Sequence, residues 1–163
     1  MHGLPCSVQT GKDRTDDAIL ATKAAIEEGI LPGGGLPLFR ISNKIKSHFL
    51  EGEDVASIAN QFEPSEVAGM IVRDAIREPM IQIIRNSGRS EEEIDKIIEK
   101  VSKEKNLNIG FDAKDDVMGN LIEAGVIDPT KVTKKALLNA ASVSTTIMNT
   151  SAMITDVDDN LPI

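Results

Sequence analysis

Apolar and polar residues alternate at helical spacing near the start of the chain. The pattern predicts a helix from Thr15 to Glu28, with Thr15 as its cap and Gly29 as its left-handed stop. Asp16 and Asp17 would lie in the first turn, where negative charge is favoured by the helix dipole. Alanines at positions 18, 21 and 25 form one narrow face, which would allow another helix to approach closely.

Three further apolar stripes predict helices downstream. Their inward-facing residues are Leu38, Ile41, Ile45 and Phe49; then Val67, Met70, Ile71 and Ala75; then Ile94, Ile97, Ile98 and Val101. Pro64 is expected to open the second of these helices, Pro79 to kink it and Gly88 to end it. Ser90 and Glu93 form a capping box at the start of the third. The polar stretch 51–63 is interpreted as a loop or short helix.

The last third of the chain mixes short strands with one long helix. Residues 108–112 predict a strand and residues 113–116 a turn, so a small hairpin is expected. Residues 121–126 indicate one or two helical turns. Asp128 is predicted as an N-cap with Pro129 in the first turn of a helix that runs to about Met148. Residues 153–157 alternate like a strand that lacks a partner, and such an edge usually pairs with another chain.

Composition narrows the functional classes. The 163 residues include four Phe, no Trp and no Tyr, and the net charge is −8, so nucleic acid is an unfavourable partner. A single cysteine and two isolated histidines support neither an internal disulfide nor a zinc site, which favours a reducing, cytoplasmic compartment. No apolar run reaches the roughly 20 residues that span a bilayer, and residues 1–10 lack the pattern of a signal peptide.

The candidate chemistry is weak when each residue is taken alone. The turn from Pro32 to Gly35 would let the backbone come close to a ligand, although it matches neither a Walker A loop nor a dinucleotide-binding fingerprint. Asp17 is explained by the helix dipole, Asp128 by capping and Asp112 by a turn. The residues by themselves indicate an acidic, mainly helical, soluble protein that assembles with other chains.

Several of these segments occur together in a characteristic order. Residues 15–30, TDDAILATKAAIEEGI, are followed by Gly33–Gly35, and GFDA at 110–113 precedes GNLIEAGVIDPTKVT at 119–133 and AASV at 140–143. This combination closely resembles the GroEL-type (group I) chaperonins. The resemblance covers about Lys12 to Val157 and is weaker between Ile41 and Asn106, where Arg77-Glu78-Pro79 and the helical pattern match.

The resemblance implies a domain division and a fold. Residues 1–10 match no segment of the family and form an unplaced leader, residues 11–30 match the intermediate-domain helix, and residues 31–163 match the C-terminal half of the equatorial domain. The implied fold is a mainly α helical bundle of the equatorial-domain type, with a small β-hairpin and a C-terminal β-strand that pairs with a neighbouring subunit.

The resemblance also implies functional roles for particular residues. Asp17 matches the acid that orients the attacking water during ATP hydrolysis. Gly34 matches a glycine beside the ribose, and Asp128 an aspartate that accepts hydrogen bonds from the ribose hydroxyls. Asp112 and Ala113 match positions that contact the adenine, although the family commonly has asparagine in place of Asp112. An aspartate accepts from the adenine amino group but cannot donate as an amide does.

The implied function is that of an ATP-dependent chaperonin subunit, which uses ATP and Mg²⁺ in a homo-oligomeric ring to assist protein folding. Non-native polypeptides and a cochaperonin would bind through domains that this chain lacks. The phosphate-binding loop and the Mg²⁺-holding aspartate of the family are also not found in it, so the isolated chain is expected to show no ATPase activity and weak nucleotide affinity. The alternative is a free-standing, non-enzymatic helical module that serves as a scaffold. Neither hypothesis requires nucleic acid or a membrane, and the expected location is the cytoplasm or an organelle matrix.

Overall fold

The computed structural model describes residues 11–45 and 63–152, with side chains from residue 14 onwards. Within these ranges there are five helices and four short strands, which confirms the mainly helical fold. The helices are α1 Gly11–Glu28, α2 Leu36–Ser42, α3 Pro64–Asn86, α4 Glu91–Lys103 and α5 Thr130–Met148. The strands are β1 Ile30–Pro32, β2 Ile109–Asp112, β3 Val117–Asn120 and β4 Ile127–Pro129. Phe49, most of the polar stretch 51–63 and the expected strand at 153–157 lie outside the described residues.

Helix α1 begins one turn earlier than the sequence pattern predicts. Thr15 lies inside the helix, so its expected role as a cap is wrong, and Asp17 belongs to the second turn rather than the first. The stop at Gly29 is confirmed, with a φ of 82° and an N–H that donates to the Ala25 carbonyl oxygen at 2.8 Å. Residues 14–23 are exposed and only Ala24 and Ala25 are half-buried, so just the C-terminal end of α1 packs on the body of the protein.

A two-stranded antiparallel sheet follows α1 directly, which the sequence pattern does not predict. Strands β1 and β4 pair with Leu31 opposite Asp128. Asp128 is therefore a strand residue, and its predicted N-cap role is wrong. The N-cap of α5 is Pro129, without a side-chain cap hydrogen bond, because the backbone of residues 127–129 is already committed to the strand pair.

The buried core lies between α2, α3, α4 and the second strand pair. Its members are Leu36, Phe39, Met80, Ile84, Ile94, Val101, Phe111 and Leu121. The predicted inward face of α2 is wrong, since Ile41 is 49% exposed while Leu36 and Phe39 are fully buried. Ile71 in α3 is likewise 56% exposed, whereas the buried residues of this helix are Met70, Ile76, Met80 and Ile84.

Helices α3 and α4 begin as their sequences predict. Pro64 occupies the first turn of α3, which continues through Pro79 to Asn86, and Gly88 follows with a φ of 85°. The capping box at the start of α4 is confirmed: the Glu93 N–H donates to Ser90 Oγ at 3.4 Å, and the Ser90 N–H donates to Glu93 Oε2 at 3.0 Å.

The predicted hairpin is confirmed as β2 and β3, with Phe111 opposite Met118. The one or two helical turns expected at residues 121–126 are instead a series of tight turns, in which the Gly125 N–H donates to the Ile122 carbonyl oxygen at 3.1 Å. None of the helices in the described ranges is long and apolar enough to cross a membrane.

Candidate functional site

The glycine turn between β1 and α2 is held tightly on both sides. The Gly33 N–H donates to the Val126 carbonyl oxygen at 2.8 Å. A Cβ on Gly35 would lie 2.8 Å from the Met80 nitrogen, so only glycine fits against α3 there. At Gly34 there is more room: a Cβ would lie 3.9 Å from the Phe111 carbonyl oxygen, and the requirement for glycine comes from a φ of 67°. The turn thus brings Gly34 to the end of β2.

The Asp128 carboxylate is half-buried beside this turn. Among the residues that the structure describes, neither a hydrogen bond nor an ion pair reaches it, and burial raises its pKa above the usual range for aspartate. A partly desolvated carboxylate is a strong hydrogen-bond acceptor. The position is suited to a ligand that brings its own hydroxyl groups.

Asp112, at the end of β2, is 6% exposed and has a structural role of its own. Its Oδ1 accepts hydrogen bonds from the Lys114 N–H at 2.9 Å and the Asp115 N–H at 3.3 Å. This arrangement confirms Asp112 as a turn residue. Ala113, the next residue, is half-buried and packs against the core.

Asp17 lies far along α1 from this group of residues. It precedes Glu28 by eleven positions, which is about 16 Å along the helix axis. The end of α1 near the site is tied to α5 by two ion pairs, Lys131 with Glu27 and Lys134 Nζ with Glu28 Oε2 at 2.6 Å. The structure therefore places Gly34 near the end of β2, Asp128 on the strand that pairs with β1 just before the glycine turn, and Asp17 on the exposed part of α1.

Comparison with known proteins identifies the family. A model of the TCP-1/cpn60 chaperonin family matches residues 7–158. The chain belongs to the TCP-1/cpn60 chaperonin family. It is 43% identical over 150 residues to a protein named chaperonin GroEL 3 from Psychromonas ingrahamii, a match that covers 91% of the chain and 25% of that protein. A chaperonin GroEL from Orientia tsutsugamushi (strain Ikeda) is 40% identical over 149 residues, 91% of the chain and 24% of the relative.

A solved structure supports the fold of this chaperonin chain. The crystal structure of a group III chaperonin in the open state matches with a TM-score of 0.62 and 26% sequence identity, over 80% of the chain and 25% of that structure. The chain spans about a quarter of the length of the chaperonins that it matches.

The chaperonin chain offers residues that could hold a nucleoside. Gly34 lies in the glycine turn, Asp112 and Ala113 at the end of β2, and Asp128 on β4, which pairs with the strand before that turn. In the described ranges, no three His, Cys, Asp or Glu side chains are grouped so that they could bind a metal ion.

Sequence reasoning misses two arginines that hold the hairpin. Arg40, on α2, donates to backbone carbonyl oxygens in the segment before β2. Arg89 forms ion pairs with Asp116 at the hairpin turn and with Glu93 on α4, the latter at 2.8 Å. The Arg40 contacts and the Arg89–Asp116 pair join residues 27 or more positions apart, for which a local pattern carries no signal. A Cβ on Gly110 would lie 2.8 Å from Leu121 Cδ1, so a larger residue there would displace that buried side chain.

Proposed function

We propose that this chain is part of an ATP-dependent chaperonin subunit and forms the nucleoside-binding side of its ATP pocket. Residues 11–30 would be the end of the intermediate domain, and residues 31–163 the C-terminal half of the equatorial domain. The whole subunit would assist protein folding by nucleotide-driven cycling of an oligomeric ring. Family membership and the match to two proteins named GroEL support this assignment.

The observation that carries the proposal is the half-buried Asp128 carboxylate beside the glycine turn. Ribose presents two neighbouring hydroxyl donors, which match a carboxylate that has no donor among the described residues. Gly34 leaves the backbone of the turn open to a sugar ring, because no Cβ projects from it. Since the positive φ of Gly34 also requires glycine, the Asp128 carboxylate is the feature that a purely structural helical module would leave unexplained.

The base would lie against the end of β2. Asp112 Oδ1 is engaged by the turn, which leaves Oδ2 as an acceptor for the adenine amino group. The side chain lacks the second donor group that an asparagine would have. We therefore propose that adenine is recognised through acceptors on this hairpin, with Ala113 against the ring.

Asp17 would act only after α1 moves. A carboxylate can orient the attacking water and take its proton during phosphoryl transfer. The exposure of residues 14–23, together with the confinement of packing and ion pairs to residues 24–28, supports a helix that can swing about its C-terminal end. Gly29, with its positive φ, is the natural position for such a hinge.

Phosphate and Mg²⁺ binding would come from parts of the subunit outside this chain. The described residues do not fit a Mg²⁺ site, so we assign no catalytic step to the metal here. Mg²⁺ would neutralise phosphate charge where the rest of the pocket supplies its ligands. Without that stabilisation, the isolated chain would bind ATP weakly and would not hydrolyse it.

The same proposal accounts for the apolar surface. Helix α5 has no fully buried residue, and Leu138, Val143 and Met148 on it are more than half exposed. These side chains would be covered by the rest of the subunit or by neighbouring subunits of a homo-oligomeric ring. Non-native polypeptides and a cochaperonin would bind elsewhere on the subunit, and the complex would work in the cytoplasm or an organelle matrix.

The test is a titration of the 163-residue chain with ATP, followed by NMR. Asp128→Ala is expected to weaken ATP binding about tenfold or more, because hydrogen bonds to a charged acceptor are lost. Asp95→Ala, which removes an exposed carboxylate on α4, serves as the matched control and should bind as the wild type does. A chain that binds no nucleotide would favour the alternative, a free-standing scaffold module derived from a chaperonin.

A further inference from the structure

Arg40 makes a cluster of long-range hydrogen bonds next to the proposed pocket. Its Nη1 donates to the Glu104 carbonyl oxygen at 2.9 Å. Its Nη2 donates to the carbonyl oxygens of Asn106 at 3.2 Å and Ile109 at 3.1 Å. The side chain is half-buried, and its Nε is buried without an acceptor among the described residues. One guanidinium thus fixes the whole segment that joins α4 to β2.

The backbone of Arg40 is held in a fixed position relative to the glycine turn. Helix α2 begins directly after Gly35, which packs against the Met80 backbone. Leu36 and Phe39 are fully buried, and the Arg77 guanidinium carbon lies 5.3 Å from the centre of the Phe39 ring. Because α2 has only seven residues and is anchored on its inner face, Arg40 has little freedom to move with respect to Gly34.

The segment that Arg40 holds leads directly into the base side of the pocket. Residues 104–108 form neither helix nor strand, so their position depends on such contacts. Ile109 is the first residue of β2, and Asp112 follows three positions later, about 10 Å along the strand. Asp128 is held independently, by the pairing of β4 with β1.

We infer that Arg40 is a positioning residue that sets the adenine-contacting hairpin at the correct distance from the ribose-contacting turn. This inference rests on the proposed function. Loss of Arg40 would release the carbonyl oxygens of residues 104, 106 and 109 to water and allow the hairpin to shift. The base contacts at Asp112 and Ala113 would weaken, while Asp128 and Gly34 would keep their positions for the ribose.

The experiment compares ATP with GTP, which share ribose and phosphates and differ in the base. Affinities of the full chain are measured by NMR titration, below the melting temperature of every variant. We expect Arg40→Ala to weaken ATP binding about tenfold and GTP binding less than about twofold, so the ATP/GTP preference falls. Arg40→Lys retains one charged donor and should restore part of that preference.

Arg85→Ala is the matched control. Arg85 Nε pairs with Glu91 Oε1 at 2.9 Å and its Nη1 with Glu78 Oε1 at 3.2 Å, so the variant also removes a guanidinium that joins two segments. It should leave the ATP/GTP preference unchanged. An equal loss for both nucleotides in Arg40→Ala, or an unchanged preference, would overturn the positioning role.

Two further outcomes separate this inference from the proposed function. If Arg40→Ala does not fold, Arg40→Lys decides: a preference lowered about twofold to threefold supports the role, and an unchanged one rejects it. If the wild-type chain binds neither nucleotide, the nucleoside site is rejected and the role of Arg40 with it. If the wild-type chain binds ATP and the ATP/GTP preference does not depend on Arg40, the nucleoside site is retained and only the positioning role is rejected.

Discussion

Asp128 lies directly opposite Leu31 in the antiparallel pair formed by β1 and β4. Gly33 follows two residues after Leu31, and its N–H donates to the Val126 carbonyl oxygen two residues before Asp128. The strand pair therefore holds a half-buried carboxylate beside the glycine turn, although the two segments are almost one hundred residues apart in sequence.

The burial of Asp128 predicts a particular pH dependence of stability. Burial raises the pKa of Asp128 in the folded state, so ionisation of this carboxyl group lowers the free energy of unfolding. This destabilisation is absent below the pKa of about 3.9 that aspartate has in an unfolded chain. It develops as pH rises through the pKa of Asp128 in the folded protein. We expect Asp128→Asn to raise the urea midpoint relative to the wild type at about pH 7 and to change it little at about pH 3.5. Asp95→Asn should show no such difference, and a lower midpoint for Asp128→Asn at neutral pH would contradict the prediction.

Asp112→Asn is expected to separate turn formation from base recognition. The asparagine Oδ1 can still accept from the Lys114 and Asp115 N–H groups, so stability should change by less than about 0.5 kcal/mol. Its NH2 group would replace Oδ2, the proposed acceptor for the adenine amino group, with a donor, so affinity for adenine nucleotides should fall. Asp112→Ala loses both turn hydrogen bonds and should cost about 1–3 kcal/mol in urea unfolding. Equal destabilisation by both substitutions would show that Oδ1 is not the acceptor.

Glycine substitutions distinguish packing from backbone conformation. Gly88→Ala meets no atom within 4 Å and has a φ of 85°, so it should cost only the left-handed penalty of about 1–2 kcal/mol. Gly35→Ala has a similar φ of 73° and would also bring its Cβ to 2.8 Å from the Met80 nitrogen. We expect Gly35→Ala to be the more destabilising by a further 1–3 kcal/mol or so in thermal unfolding. Equal costs would mean that α3 moves freely away from the turn.

The ion pairs between α1 and α5 predict how α1 opens. Hydrogen bonding to Lys131 lowers the pKa of Glu27, so this contact stabilises the docked helix above the unfolded pKa of glutamate and weakens as pH falls. Lys131→Ala combined with Lys134→Ala should speed amide hydrogen exchange at Ala24 and Ala25 a few-fold at neutral pH. The amides of α4 should exchange as before. Unchanged exchange in α1 would show that packing alone holds it.

Local signals in the sequence predict the elements that short-range chemistry determines. Gly29 stops α1, Ser90 and Glu93 cap α4, and the β2–β3 hairpin forms where expected. Each of these depends on residues within a few positions of one another.

The sequence pattern does not predict features that depend on residues far apart in the chain. Strand β1 has three residues and ends in Pro32, so only its pairing with β4 defines it. Asp128 followed by Pro129 has the sequence pattern of a helix cap, but both residues belong to strand β4, which pairs with β1. Ile71 is apolar and yet exposed, which no pattern within this chain explains and which a larger subunit would account for. The contacts of Arg40 likewise depend on residues more than 60 positions away.

The isolated chain is expected to turn over no ATP. It would supply the nucleoside side of the pocket and the water-orienting Asp17, whereas phosphate charge would remain uncompensated. Phosphate release from MgATP, measured at high protein concentration, should equal the buffer blank. Turnover that disappears in Asp17→Ala would contradict this expectation, as would tight MgATP binding in calorimetry.

The nucleoside site is tested most directly by an NMR map of where ATP binds on the wild-type chain. The amide resonances of Gly34, Ala113 and Asp128 are expected to shift together along one binding curve, while those on the exposed face of α4, such as Asp95, stay in place. Shifts confined to other surfaces, or no shifts at saturating ATP, would contradict the claim that these residues form the nucleoside side of a chaperonin ATP pocket.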